Sequence, residues 1–457
     1  VAAVSMWLRG VVMRLHPARA VVLAFGTVTV AGATLLALPA SSQSGEVTGP
    51  VDALFTATSA VCVTGLAVVD TGSYWSGFGQ AVILGLIQVG GFGIMTMASL
   101  LALLISGRMR MRLELTAQAE TKSLGLGEVR AVIVRVAVIT LVAEGVTALL
   151  LAARFRLGYG EPLGDAVYSG VFHAVSAFNN AGFGLYPDSL VRYAADPWVT
   201  LPVAAAVILG GIGFPVIIEV LRYRARHRAT GSRNWSLHLK LTVTTTAALL
   251  AAGTALTLGL EWANPGTLGP MDVPGKLLNA FFHSAMSRTA GFNALDIAAL
   301  GHATLFATCV LMFIGGGSAG TAGGIKVTTF AVLGAAILAE VRGEPDSGAF
   351  RRRLSPHVLR QALTVALLGV GLVAAAVIAL QAMAGAGLEV VLFETVSAFG
   401  TVGLSAGLTA ELPPAGELIL VMLMFVGRLG PITLASALAL RERTRRFHYP
   451  EERPVIG

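Results

Sequence analysis

Charge is scarce in this 457-residue chain: Asp, Glu, Lys and Arg make up 12% of it, against roughly 25% in a soluble domain. That shortage excludes an ordinary water-soluble globule. Cysteine is scarcer still. Cys62 and Cys309 are the only two, too few for a disulfide framework and without the spacing of a zinc site. There is no H-E-x-x-H, no G-x-S-x-G and no convergent acid–base cluster, which argues against an enzyme, intramembrane or otherwise. The formal charge of +7 lies scattered beside apolar runs instead of in one patch, which excludes a nucleic-acid partner.

What is abundant is apolar. Hydrophobic residues make up 55% of the chain and the mean hydropathy is +0.76, with many long apolar runs, which places it in the membrane class, in contact with a lipid bilayer. Arg9, Arg14 and Arg19 before the run 20–40, with Leu38-Pro39-Ala40-Ser41 at its end, imitate a signal peptide. The run is longer than a usual signal core and reads as a first helix.

Four short motifs share one setting: Val63-Thr64-Gly65-Leu66, Asn180-Ala181-Gly182-Phe183, Thr289-Ala290-Gly291-Phe292 and Thr401-Val402-Gly403-Leu404. Their glycines are 117, 109 and 112 residues apart, so the chain reads as one unit repeated four times. Each unit is expected to run long helix, short re-entrant helix, extended strand, long helix. The expected segments are 20–40, a short helix opened by Asp52 as N-cap, and 80–105; then 129–153, 165–178 and 198–221; then 237–260, 276–287 and 302–340; then 358–384, 388–399 and 416–440. The expected fold is therefore an all-α integral membrane protein of four tandem M1-P-M2 repeats around a central pore with fourfold pseudosymmetry. The repeats divide as 1–107, 108–228, 229–343 and 344–457.

The second long helices carry glycine clusters at matching depth. Gly91, Gly211, Gly316 and Gly430 lie 26, 29, 25 and 27 residues past their motif glycines. Small residues at one level let four helices approach a common axis. Twenty-four of the 32 basic residues lie before the first unit, between units or after the last. The positive-inside rule then puts both termini and the inter-unit loops in the cytoplasm, with all four motifs entering from outside. Parallel repeats, with only the third inner helix expected to break, argue against an alternating-access symporter built on inverted repeats.

A cation leaving water needs replacement oxygens, because charge at the bilayer centre costs several kcal/mol or more. Rings of backbone carbonyls supply them, and glycine at each apex permits backbone conformations that a Cβ would strain. Val63, Thr64, Gly65, Asn180, Ala181, Gly182, Thr289, Ala290, Gly291, Thr401, Val402 and Gly403 are the expected selectivity filter. Arg288 and Glu394 are expected to support it. Arg288 either braces the strand from behind or faces the pore, and its desolvation cost favours bracing. His173 and His283 read as packing residues. Asp70, Asp188 and Asp296, with Glu411 in the fourth unit, form either an acidic outer mouth or a set of loop caps.

The third inner helix meets Gly315, Gly316, Gly317, Ser318, Ala319, Gly320, Thr321, Ala322, Gly323 and Gly324, then Ile325 and Lys326. No helix holds through six glycines in ten residues at about 1 kcal/mol each relative to Ala. Broken backbone at membrane depth must lie against protein or a water-filled cavity. A gate loop beneath the filter fits both demands, with Lys326 in it and Arg428 placed to donate to its carbonyls. The match of Gly315 to Gly320 with G-x-G-x-x-G lacks a surrounding βαβ unit and carries no nucleotide reading. Glu144 and Arg135, nine residues apart, form no one-turn pair and receive no role.

These features, with the blocks Ser287-Arg288-Thr289-Ala290-Gly291-Phe292-Asn293 and Gly427-Arg428-Leu429-Gly430-Pro431, resemble the superfamily of Trk, Ktr and HKT potassium transporters over nearly the whole chain. The resemblance is to the bacterial membrane subunit, and more to the Ktr type than to the longer Trk type. It implies K⁺ uptake across the bacterial cytoplasmic membrane, with K⁺ held at filter carbonyls and no covalent cofactor. It also implies a homodimer and a cytosolic RCK-type regulatory ring, on which the nucleotide (ATP/ADP or NAD) binds. In plant relatives a serine in place of the first filter glycine accompanies Na⁺ preference, so Gly65 implies K⁺. Na⁺ permeation or Na⁺ coupling is the alternative within the same superfamily.

Overall fold

A backbone inside hydrocarbon has to satisfy its own hydrogen bonds, and in the computed structural model this chain does so as helix. The structure describes residues 17–114, 126–230 and 235–430. Among these, fourteen helices exceed one turn. They are α1 (Pro17–Leu36), α2 (Pro50–Val61), α3 (Gly77–Glu114), α4 (Leu126–Gly158), α5 (Leu163–Phe178), α6 (Pro197–Gly211) and α7 (Phe214–Thr230). There follow α8 (Leu237–Glu261), α9 (Val273–Met286), α10 (His302–Phe313), α11 (Val327–Val341), α12 (Pro356–Gln381), α13 (Leu388–Gly400) and α14 (Pro414–Leu429). A two-residue hairpin, Gly348–Ala349 against Arg352–Arg353, joins α11 to α12.

Four stretches are long and apolar enough to cross a membrane: Gly77–Thr96, Ala131–Gly158, Leu237–Glu261 and Pro356–Gln381. The pair α6 and α7 would make a fifth if counted as one bent span. Leu149 and Ile378, on such helices, are more than 70% exposed. The interior belongs to the short helices α2, α5, α9 and α13, whose Phe55, Phe172, Phe282 and Phe393 are at most 1% exposed. Apolar side chains thus face outward on the long helices and inward on the short ones, as a hydrocarbon solvent allows.

Each short helix packs on the long helix before it: α1 on α2, α4 on α5, α8 on α9 and α12 on α13. The helix that follows each motif reaches the next short helix, α3 to α5, α6 to α9 and α10 to α13, and α14 returns to α2. The packing therefore closes on itself.

Two local expectations are corrected. Asp52 is not the N-cap of α2. That helix starts at Pro50 after Gly49, with no side-chain cap. Proline at the first helical position needs no N–H partner and presets φ, so the start moves ahead of Asp52, whose charge then sits in the positive first turn. The stretch 198–221 is not one helix either. It breaks between Gly211 and Phe214 with a bend of 96°, and Gly213 has φ of +99°. The reason lies 100 residues further on. The carbonyls freed at the break accept from the glycine-rich loop, Gly211 O from Gly317 N at 2.7 Å and Gly210 O from Thr321 N at 3.1 Å, while Phe214 N donates to Ala319 O at 3.2 Å.

The stretch 302–340 does break, as α10 and α11. The continuation of the last helix beyond residue 430, and the basic residues before 17, after 430 and at Lys122 and Arg233, lie outside the described residues.

Candidate functional site

Each short helix ends in the same backbone turn. Val63, Asn180, Thr289 and Thr401 have φ of +55°, +59°, +75° and +48°, and two residues later Gly65, Gly182, Gly291 and Gly403 have +91°, +72°, +69° and +94°. Each turn is tied to its own helix. Thr64 N donates to Ser59 O, Ala181 N to Ser176 O, Ala290 N to Met286 O and Val402 N to Ser397 O, at 2.7–3.0 Å. In the first and fourth turns a serine hydroxyl also accepts the glycine N–H, Gly65 N to Ser59 Oγ and Gly403 N to Ser397 Oγ, both 3.1 Å.

The four glycines come together in a closed cycle. A Cβ placed on Gly65 would meet Ala181 O and the Gly182 Cα, and one on Gly182 would meet Ala290 O and the Gly291 Cα. One on Gly291 would meet Val402 O and the Gly403 Cα, and one on Gly403 would meet Thr64 O and the Gly65 Cα. Any side chain here collides with backbone, and φ near +90° adds strain for an L residue. The oxygens that line up at this cycle are the backbone carbonyls of Thr64, Ala181, Ala290 and Val402; among the described residues no group of three or more His, Cys, Asp or Glu could hold a metal.

The residue three before each glycine differs in every turn: Cys62, Asn179, Arg288 and Gly400. Arg288 points away from the cycle. Its Nη1 donates to Thr246 O on α8 at 3.2 Å and its Nη2 to Gly315 O at 3.0 Å, so it binds the start of the glycine-rich loop. Asn179 donates to Glu144 Oε1 at 2.9 Å and to Gln88 Oε1 at 3.0 Å, and Gln88 reaches Glu144 Oε2 at 3.4 Å. The Glu144 cluster is the feature that sequence reading missed. Its partners lie 35 and 56 residues away, so the only local signal was a carboxylate inside an apolar helix.

Glu394, fully buried on α13, accepts from the Ser405 hydroxyl at 2.5 Å, Ala406 N at 2.9 Å and the Thr409 hydroxyl at 2.7 Å. It pins the chain just after Gly403. His173 bonds Ser169 O at 2.8 Å and stacks on Tyr186, and His283 bonds the Thr308 hydroxyl at 3.0 Å. Asp70 caps its own turn through Ser73 N at 2.8 Å, and Asp296 accepts from Ala298 N at 3.0 Å. Asp188 pairs with the Arg192 guanidinium, which holds its carboxyl below the usual range. All three act locally as loop caps.

Residues 314–326 form a strap below the cycle. Gly315 N donates to Ile325 O at 2.8 Å and Ile325 N to Phe313 O at 3.2 Å, closing its base. Ser318 and Thr328 hydroxyls lie 3.1 Å apart, and Lys326 Nζ folds back onto Ala322 O. Thr321 is the most connected residue. Its hydroxyl donates to Asn180 Oδ1 at 2.7 Å, its N–H to Gly210 O, and its carbonyl accepts from Arg428. Arg428, 5% exposed, also reaches Gly90 O at 3.4 Å. A Cβ on Gly323 would meet the Thr401 hydroxyl. The strap thus reaches from the second turn to the fourth.

Residues 13–447 match the family described as TrkH, Cation transport protein. The chain is 40% identical over 445 residues to the Ktr system potassium uptake protein B of Bacillus subtilis (strain 168), covering 97% of this chain and 98% of that protein. It is 37% identical over 454 residues to the potassium/sodium uptake protein NtpJ of Enterococcus hirae, covering 97% and 98%. The crystal structure of the potassium transporter TrkH from Vibrio parahaemolyticus superposes with a TM-score of 0.70 at 17% identity, over 92% of this chain and 84% of that one, which is a likeness of fold. A family match over nearly the whole length, together with several membrane-length apolar helices, makes this a multi-pass membrane protein that belongs to the TrkH family of cation transport proteins.

Proposed function

We propose that this chain forms the pore of a K⁺ uptake system. In this reading residues 1–107, 108–228, 229–343 and 344–457 are four parallel M1-P-M2 repeats around one axis, with both termini on the cytoplasmic side of a bacterial inner membrane. The observation that carries it is the cycle of four glycines, each meeting the next turn's carbonyl and Cα. Sixteen or fewer residues make up each short helix, and all four end at this cycle, so their partly negative C-termini favour a cation there. The carbonyls of Thr64, Ala181, Ala290 and Val402 stand where hydration oxygens have to be replaced. The strap 314–326 is the gate. Arg428, Arg288 and Thr321 hold it under the filter, and flux requires that it swing aside. The relatives' naming as parts of a Ktr system supports a regulatory partner, which we take to be a cytosolic RCK ring that binds the nucleotide, acting on a homodimer of this chain.

The naming of the Enterococcus relative as a potassium/sodium uptake protein favours a second reading, in which Na⁺ permeates or is coupled. Rb⁺ uptake by the purified protein in liposomes, with Na⁺ and the cytosolic partner varied, separates the two. Saturable Rb⁺ influx competed by K⁺ and indifferent to Na⁺ supports the first reading. Influx that requires Na⁺ supports the second, and no Rb⁺ movement under any condition overturns both.

A further inference from the structure

Between the second and third turns lies a small cavity of about 20 Å³, lined among others by Asn180, Thr246, Ala285, Arg288 and Gly316. Three buried polar groups on that lining have no hydrogen-bond partner among the described residues: Asn180 Nδ2, Arg288 Nε and Thr246 Oγ1. Their residues are at most 8% exposed. Bonds made elsewhere by Asn180 and Arg288 orient these side chains. Asn180 Oδ1 is taken by the Thr321 hydroxyl, so its amide N–H faces the cavity. Each Arg288 terminal nitrogen donates to a carbonyl, and Nε is the guanidinium nitrogen without a partner among the described residues. On α8 the buried Thr242 and Thr246 differ from other threonines of the helix. Thr244, Thr254 and Thr257 each return their hydroxyl to the carbonyl four residues back, whereas Thr242 and Thr246 make no such bond, and of these two Thr246 lines the cavity.

We propose that this cavity is a site for one water molecule, which accepts from Asn180 Nδ2 and Arg288 Nε and donates to Thr246 Oγ1. A buried water needs about 10–15 Å³ and typically makes about three hydrogen bonds; the cavity has the volume, and three unpartnered polar groups belong to its lining residues. A halide is the other small acceptor. The Arg288 charge, however, is already met by two carbonyls and by the C-terminal end of α9, two residues before it. Water leaves two lone pairs for two N–H donors and keeps a proton for the hydroxyl.

The site rests on the filter reading for its consequence. Through the water, the second and third turns are joined to each other and to α8. Asn180 and Arg288 in turn hold the strap at Thr321 and Gly315. Thr246, which touches neither turn's glycine, is thereby a positioning residue for ion selection.

Two measurements test this. A high-resolution map of the unaltered protein in lipid should show a peak within hydrogen-bonding distance of all three atoms. An empty cavity overturns the site, and so does an anomalous peak there in bromide-grown crystals. In liposomes, Thr246→Val keeps the shape but removes the acceptor, and should lower the Rb⁺-to-Na⁺ uptake ratio roughly two- to tenfold, the range for one lost buried hydrogen bond. Thr246→Ser should restore the ratio. An unchanged ratio in Thr246→Val, or one that Ser fails to restore, overturns the positioning role. A wild-type protein that moves no Rb⁺ overturns the filter reading itself, which the map does not test.

Discussion

The glycine cycle and the strap beneath it are built from the same residue and held in opposite ways. Each turn of the cycle is bonded to its own short helix within five residues, and its glycine has backbone of the next turn where a side chain would go. Nothing there can move alone. The strap is held by three backbone bonds at its base, by three more to the α6–α7 break, and by side chains from distant elements, chiefly Asn180, Arg288 and Arg428. The ring's bonds lie within each turn and its own helix and give a fixed geometry, whereas most of the strap's ties run to other elements and leave a segment that can detach. Selection and gating, the two tasks proposed for this chain, need those two kinds of construction.

Substitutions that exchange one behaviour for the other probe this contrast. The largest effect is expected from Gly65→Ser or Gly403→Ser. Both glycines are at φ above +90°, so strain of about 1–3 kcal/mol is added to a clash with Thr64 O or Ala181 O. The Rb⁺-to-Na⁺ uptake ratio should fall by about tenfold or more, and a ratio that survives would mean the ring is not the rigid partner. Deleting residues 317–322 should come next, raising Rb⁺ flux severalfold while leaving the ratio near wild type. Unchanged uptake in K⁺-starved cells would remove the strap from gating. Arg428→Gln, which keeps a donor but loses the charge, should raise flux less, by roughly two- to fivefold.

Glu394→Gln addresses stability. Three donors converge on this carboxylate, and an amide cannot accept them all. Unfolding in detergent should lose about 1–3 kcal/mol, with protease cleavage appearing between residues 404 and 409. The smallest effect is expected from Asp188→Asn. The Arg192 pairing depresses the folded carboxyl's pKa, so its contribution is full above the unfolded value and is lost only as pH falls through the lower folded one. Near neutral pH the variant should shift stability by less than about 1 kcal/mol and leave Rb⁺ uptake unchanged at low ionic strength. A marked drop there would restore the acidic-mouth reading that its cap geometry argues against.

The broken α6–α7 shows where sequence reading stops. The glycine pair Gly210-Gly211 was visible, and so was the deeper run at Gly315–Gly324. Six glycines in ten residues cannot be helical, so the second break was legible as a matter of local propensity. The first was not. A helix with three glycines and a following proline can continue or bend, and here the choice follows from Gly317, Thr321 and Ala319 bonding into the opening. Glu144 was unreadable for the same reason, since Gln88 and Asn179 lie on other helices.

By itself the sequence determined the membrane class, the four recurrences of a glycine motif and the helix-breaking run, because composition, spacing and backbone propensity are local properties. Only the tertiary structure decided that the four glycines meet in one cycle, that Arg288 turns from it toward Thr246 and Gly315, and that Thr321 lies between Asn180 and Arg428. Those facts depend on which distant groups meet a buried donor or acceptor, and only the packed chain brings them within hydrogen-bonding reach.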